Sequence, residues 1–293
     1  MYELVPLSDR CYAIDCPAKI GVYLTSPTDT YLIDSGNDKD AGRKVRQILE
    51  QNHWQLRGIL NTHSNADHIG GNRYLQNQTG CKIFSAGIEA AFTQHPILEP
   101  SFLYGGYPCK DLRHKFLLAQ QSDVSDFRDE AFPKEIEVIP LHGHFFDMVG
   151  FRTPEQIVFL ADCVSSQATL EKYAVSFIYD VDAYLQTLDA VEKMQAKLFV
   201  PSHAEITADI KPLVQYNRSK VFEIADFIRS ACAEPIIFEQ LLQRLFERYR
   251  LTMNFEQYVL IGSTVRSYLS WLKDQGQVDA MFEQNLLRWR RVD

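Results

Sequence analysis

Three side chains that can bind a cation fall within six residues of the stretch Thr62-His63-Ser64-Asn65-Ala66-Asp67-His68-Ile69-Gly70-Gly71: His63, Asp67 and His68. Imidazole and carboxylate are donors that a borderline cation such as zinc accepts, and a loop between a strand and a helix can aim alternating side chains at one point. The preceding Leu56-Arg57-Gly58-Ile59-Leu60 reads as a short buried strand, so the loop begins where a rigid element ends. Gly70-Gly71 reads as a tight backbone turn behind the ligands. The plainer alternative is a helix cap by Ser64, Asn65 or Asp67, opening a helix through Asn72 to Gln76. A cap needs one such residue and has no use for His63 and His68 as well.

The same pattern recurs downstream. Pro140-Leu141-His142-Gly143-His144 follows the run Ile136-Glu137-Val138-Ile139, Leu160-Ala161-Asp162-Cys163 follows Gln156-Ile157-Val158-Phe159, and Pro201-Ser202-His203 follows Lys197-Leu198-Phe199-Val200. A lone His or Asp after a strand is an ordinary turn residue. Several in succession imply strand ends converging on a cation.

On these motifs the chain resembles the metallo-beta-lactamase superfamily, whose pattern is a His-x-His-x-Asp-His loop followed by a single His, a single Asp and a final His. The resemblance runs over about residues 1–210, and Leu32-Ile33-Asp34-Ser35-Gly36 is similar to the family's early strand and turn. It implies an α/β fold, a four-layer αβ/βα sandwich with a two-metal site at one edge. It further implies that Asp67, His68 and His203 hold one metal, that His63 and His144 hold the other, and that Asp162 bridges them. Asn65 stands where the loop's second His belongs. An amide oxygen is a poorer zinc ligand than an imidazole, so one firm and one weaker Zn2+ site are expected, with Fe or Mn as alternatives. His142 is left at the rim or behind the ligands, Asp147 is expected to orient His144, and Asp34 to order the loop rather than bind metal. Cys163 reads as a small buried filler, since neighbouring side chains on an extended segment point apart.

The resemblance implies a metal-dependent hydrolase in which Asp67 and Asp162 are the catalytic carboxylates: Asp162 bridges the metals and Asp67 orients the attacking water. Thioester or other acyl-ester hydrolysis is the first choice, because the charge balance is acidic and no phosphate-gripping arginine cluster is visible. Phosphoester or phosphodiester cleavage, nuclease action included, is the alternative. An iron-dependent oxidoreductase and a noncatalytic, metal-stabilised binding module stay open behind them.

The 293 residues suffice for one large domain and a small one, with 46% hydrophobic residues to fill a core and a net charge of −8. No basic block marks a nucleic-acid binder, and nucleic acid is not the expected partner. Glu3 and the lack of an apolar run before Asp9 do not read as a signal peptide, and no run nears the roughly 18 apolar residues of a spanning helix. The six cysteines show no framework spacing, so free thiols in a cytoplasmic protein are expected.

The elements that must carry these residues follow from period and punctuation. Residues 11–14, 21–24 and 30–33 read as a strand meander, and Ala41 to Gln51 as an amphipathic helix on Val45, Ile48 and Leu49. Cys16-Pro17-Ala18-Lys19 reads as a plain turn rather than a site rim. Cys81-Lys82-Ile83-Phe84 is a strand and Gly87 to Phe92 a short helix. Residues 93–133 and 164–180 show no period, and their aromatic content suggests substrate walls or packed excursions. Tyr104, Tyr107, His114 and Tyr179 are the candidate substrate contacts.

Asp182 to Gln195 is helical. Beyond Pro212 the texture changes to helices at about 214–231, 238–249 and 254–271, then two short strands over 278–292. The expected division is a catalytic domain at 1–212 and a helical domain at 213–293, similar to the winged-helix domain that follows the catalytic domain in one branch of the superfamily. Asn217 departs from the His-Arg pair common in that branch's linking helix. This module is expected to wall the pocket for a small-molecule substrate or to form a homodimer contact.

Overall fold

The computed structural model describes residues 2–292. Its first sheet runs in the order β1 (Glu3–Pro6), β2 (Cys11–Asp15), β3 (Ile20–Leu24), β4 (Asp29–Ile33), β5 (Gln55–Leu60), β6 (Lys82–Phe84). The first four strands are an antiparallel meander; β4, β5 and β6 are parallel and therefore need crossovers. Helix α1 (Lys39–Gln51) supplies one, with Asp38 accepting from the Ala41 N–H at 2.8 Å as its cap. The short α2 (Ala66–Ile69) and α3 (Asn72–Thr79) supply the other. After β6 come α4 (Gly87–Gln94) and α5 (Leu98–Tyr104).

The second sheet has the order β10-β9-β8-β7, made of β7 (Glu137–Pro140), β8 (Val149–Arg152), β9 (Ile157–Ser165) and β10 (Leu198–His203). Its β9–β10 pair is parallel, connected through α6 (Gln167–Tyr173) and α7 (Val181–Lys193). Four layers result, as the resemblance implied. Val45, Leu49 and Leu75 of the outer helices pack on Ile20, Leu32, Ile59 and Ile83 of the first sheet. Tyr23, Leu60, Phe84, Phe151, Phe159 and Val200 fill the space between the sheets. On the far side Val181, Leu188 and Val214 meet Val158 and Leu160. The parallel strands β5, β9 and β10 all end at the same edge, where ligands of such sheets collect.

The chain then enters α8 (Lys211–Ala231), α9 (Phe238–Tyr249), α10 (Phe255–Asp274) and a hairpin, β11 (Val278–Glu283) with β12 (Leu286–Arg291). Ile236 pairs with Trp289 of the hairpin, which places a strand-like residue between the first two helices, an arrangement consistent with a winged-helix-like unit. Pro212 lies in the first turn of α8 rather than between elements, where its missing N–H costs no helical bond. The tail shares its hydrophobic core with α7 and β9: Val221, Ile224, Val265 and Tyr268 belong to the same cluster as Leu160 and Tyr184.

Three local expectations change. The expected irregular stretch at 164–180 contains α6, and 93–133 contains α5, whose Pro100 sits in the first turn and is tolerated there. Gly70 and Gly71 have ordinary φ of −61° and −83°. They are needed because a Cβ at either would strike the backbone of Asn37 or Ser35, so they serve close packing and not a turn. Among the described residues no helix is long and apolar enough to cross a membrane.

Candidate metal centre

Two sets of side chains meet at the strand ends, His63 with His144 and Asp162, and Asp67 with His68 and His203, each set having its donor atoms within 4.8 Å of one another. Asp162 lies between them: its oxygens are 3.1 Å from His68 Nε2, 3.2 Å from His203 Nε2 and 3.7 Å from His144 Nε2. Asp67 Oδ2 is 3.3 Å from His203 Nε2.

Local backbone irregularities aim these groups. Ala161, immediately before Asp162, has a φ of 51°, and the β9–β10 register shifts between Val200 and Pro201 and again before His203. Bulges of this kind redirect side chains at the cost of ladder pairing. Asp34 also has a positive φ, of 65°. Its carboxylate thereby reaches the Thr62 N–H at 2.9 Å, the Thr62 hydroxyl at 2.7 Å and His68 Nδ1 at 2.8 Å. Gly143, with a φ of 112°, lies so close to the backbone of Tyr184 that no Cβ fits, which seats His144 against α7.

The hydrogen bonds fix the imidazole tautomers. The single proton of the Thr62 hydroxyl goes to Asp34, so at 3.0 Å from His63 Nδ1 the oxygen accepts. His68 Nδ1 donates to Asp34, and His203 Nδ1 donates to the Pro17 carbonyl at 2.9 Å. All three rings therefore turn Nε2 into the centre, the arrangement in which a histidine binds a cation. His63 Nε2, His68 Nε2 and Asp162 Oδ1 are buried with no hydrogen-bond partner among the described residues. His68 Nε2 and Asp162 Oδ1 approach closely without the alignment of a hydrogen bond. Donors about 2.0–2.1 Å from a tetrahedral cation stand about 3.3 Å apart, so these separations are those of ligands around a shared ion. The residues present fit a metal, and the two sets support a metal-dependent hydrolase mechanism.

The two sets differ in charge. Burial pushes His63 and His144 below the ordinary histidine value. Burial acts the same way on His68 and His203, but there the carboxylates win. Asp162, Asp67 and Asp34 raise His68 well above its usual range, and Asp162 with Asp67 raises His203 to about 10. Desolvation raises the carboxyls of Asp67 and Asp162, yet the facing imidazoles hold both below the usual carboxylate range. The side chains of Asp67 and His203 are 38% and 27% exposed, so the centre opens to solvent on that side.

Buried groups outside the ligand set brace the loops. Glu89 accepts from the Ser64 N–H at 2.9 Å, from the Ser64 hydroxyl at 2.5 Å and from the Asp147 N–H at 2.9 Å, joining the first ligand loop to the second. Glu99 accepts from Asn65 Nδ2 at 2.8 Å. Asn217 accepts from the Ser165 N–H at 2.9 Å and donates to the Ser165 and Leu213 carbonyls at 2.9 and 2.8 Å, tying the end of β9 to α8.

Sequence reasoning did not single out Glu89, Glu99, Thr62 or the Pro17 carbonyl. The two glutamates did leave a signal: each interrupts an apolar run, Ile88-Glu89-Ala90-Ala91-Phe92 and Ile97-Leu98-Glu99-Pro100. The turn at Cys16-Pro17-Ala18-Lys19 lies at the rim of the site, because Pro17 holds His203 and Lys19 Nζ binds the Ala204 carbonyl at 2.8 Å. Asp147 does not orient His144; its Oδ2 instead accepts from the Ile88 N–H at 2.8 Å at the start of α4. His142 is exposed, its Nδ1 3.2 Å from the Phe146 carbonyl. Cys163 is fully buried.

The four candidate substrate residues divide into pairs. Tyr104 and Tyr179 line a cleft of about 900 Å3 between α5, the start of α7 and α10, with Phe102, Asp182, Arg266 and Ser267. The cleft lies beside the histidines and not over them; the Tyr179 N–H binds the Gly143 carbonyl at 2.9 Å and the His144 carbonyl at 3.2 Å. Tyr107 is exposed under Arg113, and His114 is 3.8 Å from Glu256; neither lines the cleft.

Fold and site together define an αβ/βα sandwich with cation-binding donors at its strand ends. Residues 18–203 match the model of the metallo-beta-lactamase superfamily, and the chain belongs to that superfamily. It is 21% identical over 204 residues to the beta-lactamase-like protein 2 homolog of Drosophila melanogaster, covering 64% of this chain and 62% of that protein. It is 34% identical over 82 residues to a hydroxyacylglutathione hydrolase of Rhodobacter capsulatus, covering 27% of this chain and 31% of that one. The chain thus spans less than two thirds of either relative. A beta-lactamase domain protein from Burkholderia ambifaria superposes with a TM-score of 0.74 at 14% identity, over 99% of this chain and 94% of its own. That likeness of fold extends through the tail.

Proposed function

We propose that the chain is a metal-dependent hydrolase acting on a thioester or other acyl ester. The observation that carries this reading is the pair of donor sets around Asp162, with three buried ligand atoms that no group among the described residues satisfies. When bound, divalent cations supply Lewis acidity and lower the pKa of water. The chain's own contribution is positional. Asp162 serves both sets, and Asp67, held ionised and partly open to solvent, accepts a proton-bearing group at the entrance. His63, Asn65 and His144 form the weaker site, and Asp67, His68 and His203 the firm one, with zinc as the first-choice metal and iron or manganese as alternatives.

The acyl choice is supported by the acidic balance of the chain and by the local matches to proteins named hydroxyacylglutathione hydrolase. In this reading the cleft between α5, α7 and α10 takes the part of the substrate remote from the reacting bond, with Tyr104 and Tyr179 on its walls. Residues 213–293 act as the winged-helix-like domain of one superfamily branch and build that wall. Helix α10 spends its apolar face inward, with Val259, Ile261, Val265, Tyr268 and Leu269 buried, which supports a wall or dimer contact over a nucleic-acid reader. Six free cysteines support a cytoplasmic setting.

Metal analysis of protein purified without added metal, followed by turnover assays over thioesters, lactones, phosphodiesters and beta-lactams, tests the proposal. Metal-dependent thioester or ester turnover is the expected result. Phosphodiester turnover without acyl activity would reverse the choice of substrate, and metal-free protein with no metal affinity would end the reading.

A further inference from the structure

Asn65 is held at both ends of its amide. Its Nδ2 donates to Glu99 Oε1 at 2.8 Å, and its Oδ1 lies 3.2 Å from His144 Nε2. Glu99 therefore grips the side chain of Asn65 from the first turn of α5. Asn65 turns its N–H donor to Glu99, which leaves the amide oxygen turned toward His144. Glu99 is buried in the first turn of α5 and makes no salt bridge among the described residues. Burial pushes the Glu99 carboxyl well above the usual carboxylate range, and the hydrogen bond from Asn65 works against that shift. The 3.2 Å between Asn65 Oδ1 and His144 Nε2 is close to the spacing of about 3.3 Å between neighbouring ligands of a tetrahedral cation.

We propose that Glu99 is the positioning residue that fixes the Asn65 amide with its oxygen inward, making Asn65 a ligand of the His63/His144 site. The assignment rests on the metal-dependent reading above and deepens it. Asn65 then fills a ligand position instead of leaving a gap, and each set offers two imidazoles and two oxygens once Asp162 is shared. The sets differ by one charge, the neutral amide of Asn65 against the carboxylate of Asp67. The His63/His144 site is therefore the weaker of two complete sites.

Calorimetric zinc titration of the metal-free full chain tests this in four forms: parent, Asn65→Ala, Glu99→Gln and the double variant. Glu99→Gln offers the amide either end of its own side chain, so the Asn65 oxygen is no longer fixed inward. The weaker binding event should lose about 10–100-fold in affinity, as partners of metal ligands typically contribute, while the tighter event moves less than about 3-fold. Asn65→Ala should lose at least as much, and adding Glu99→Gln to it should change nothing further. An unchanged weaker event in Glu99→Gln would overturn the assignment, as would a Glu99→Gln loss that persists in the Asn65→Ala background. Asn65→Ala spares Glu99 and supplies a second readout, the visible spectrum of the cobalt(II)-loaded protein. Altered absorption of the weaker site is expected, and an identical spectrum would refute ligation by Asn65. A parent that binds no zinc overturns the metal reading together with this one, whereas two events indifferent to Glu99→Gln remove only the role of Glu99.

Discussion

The two donor sets share Asp162 and one short loop, yet their surroundings oppose each other. His68 and His203 face Asp67, Asp162 and, for His68, Asp34, and these carboxylates raise both imidazoles above the ordinary histidine range against the effect of burial. His63 and His144 are buried with one shared carboxylate, and burial keeps both neutral. Local charge, rather than the number of donors, therefore separates the sites. On the proposed reading, the set rich in carboxylates binds a cation more tightly and releases protons to do so, while the other releases fewer.

The largest expected effect comes from removing what the sets share. Asp162→Asn should weaken both binding events by more than the roughly 100-fold that a hydrogen-bonding partner contributes, and hydrolysis should fall with them. Loss of one event alone would show that Asp162 is not shared. Asp34→Asn comes next, because Asp34 contacts His68 directly and His63 only through Thr62. The tighter event should weaken by about 10–100-fold and the weaker one by less; equal losses would break the comparison.

Asn217→Leu tests the frame around the sets. It strips the partners from the Ser165 N–H and carbonyl, three residues beyond Asp162, and should lower stability by about 1–3 kcal/mol in denaturant melts. Zinc affinities should stay close to those of the parent. The smallest effect is a slope. Burial raises Glu89 to about 7 from an ordinary 4.5, against the pull of its three donors. Between those values the folded chain holds a proton that the unfolded chain has released, so stability falls as pH rises through this window. Glu89→Gln should flatten that fall in melts of the metal-free protein at pH 4.5–7.

What the sequence reveals and conceals follows from the range of each interaction. His63, Asp67 and His68 are legible because three donors fall within six residues, and Asp162 and His203 because each follows a run of strand residues. Glu89 and Glu99 are not, since their role depends on contacts with Ser64 and Asn65 that only the tertiary fold creates. The Pro17 carbonyl has no side-chain signature at all, so the turn at Cys16-Pro17-Ala18-Lys19 reads as plain punctuation. Helices α5 and α6 are seven residues each, too short for a period to stand out. The tail helices are long enough to show their stripes. The pairing of Ile236 with Trp289 joins residues far apart in the chain and leaves no local pattern.

The proposed centre is a pair of unequal cation sites that meet at Asp162. Anomalous scattering at the zinc edge, from crystals grown with limiting zinc, tests it most directly. A strong peak is expected among Asp67, His68 and His203 and a weaker one among His63, Asn65 and His144, with Asp162 between them. Two peaks of equal strength, or zinc bound elsewhere with these side chains apart, would contradict it.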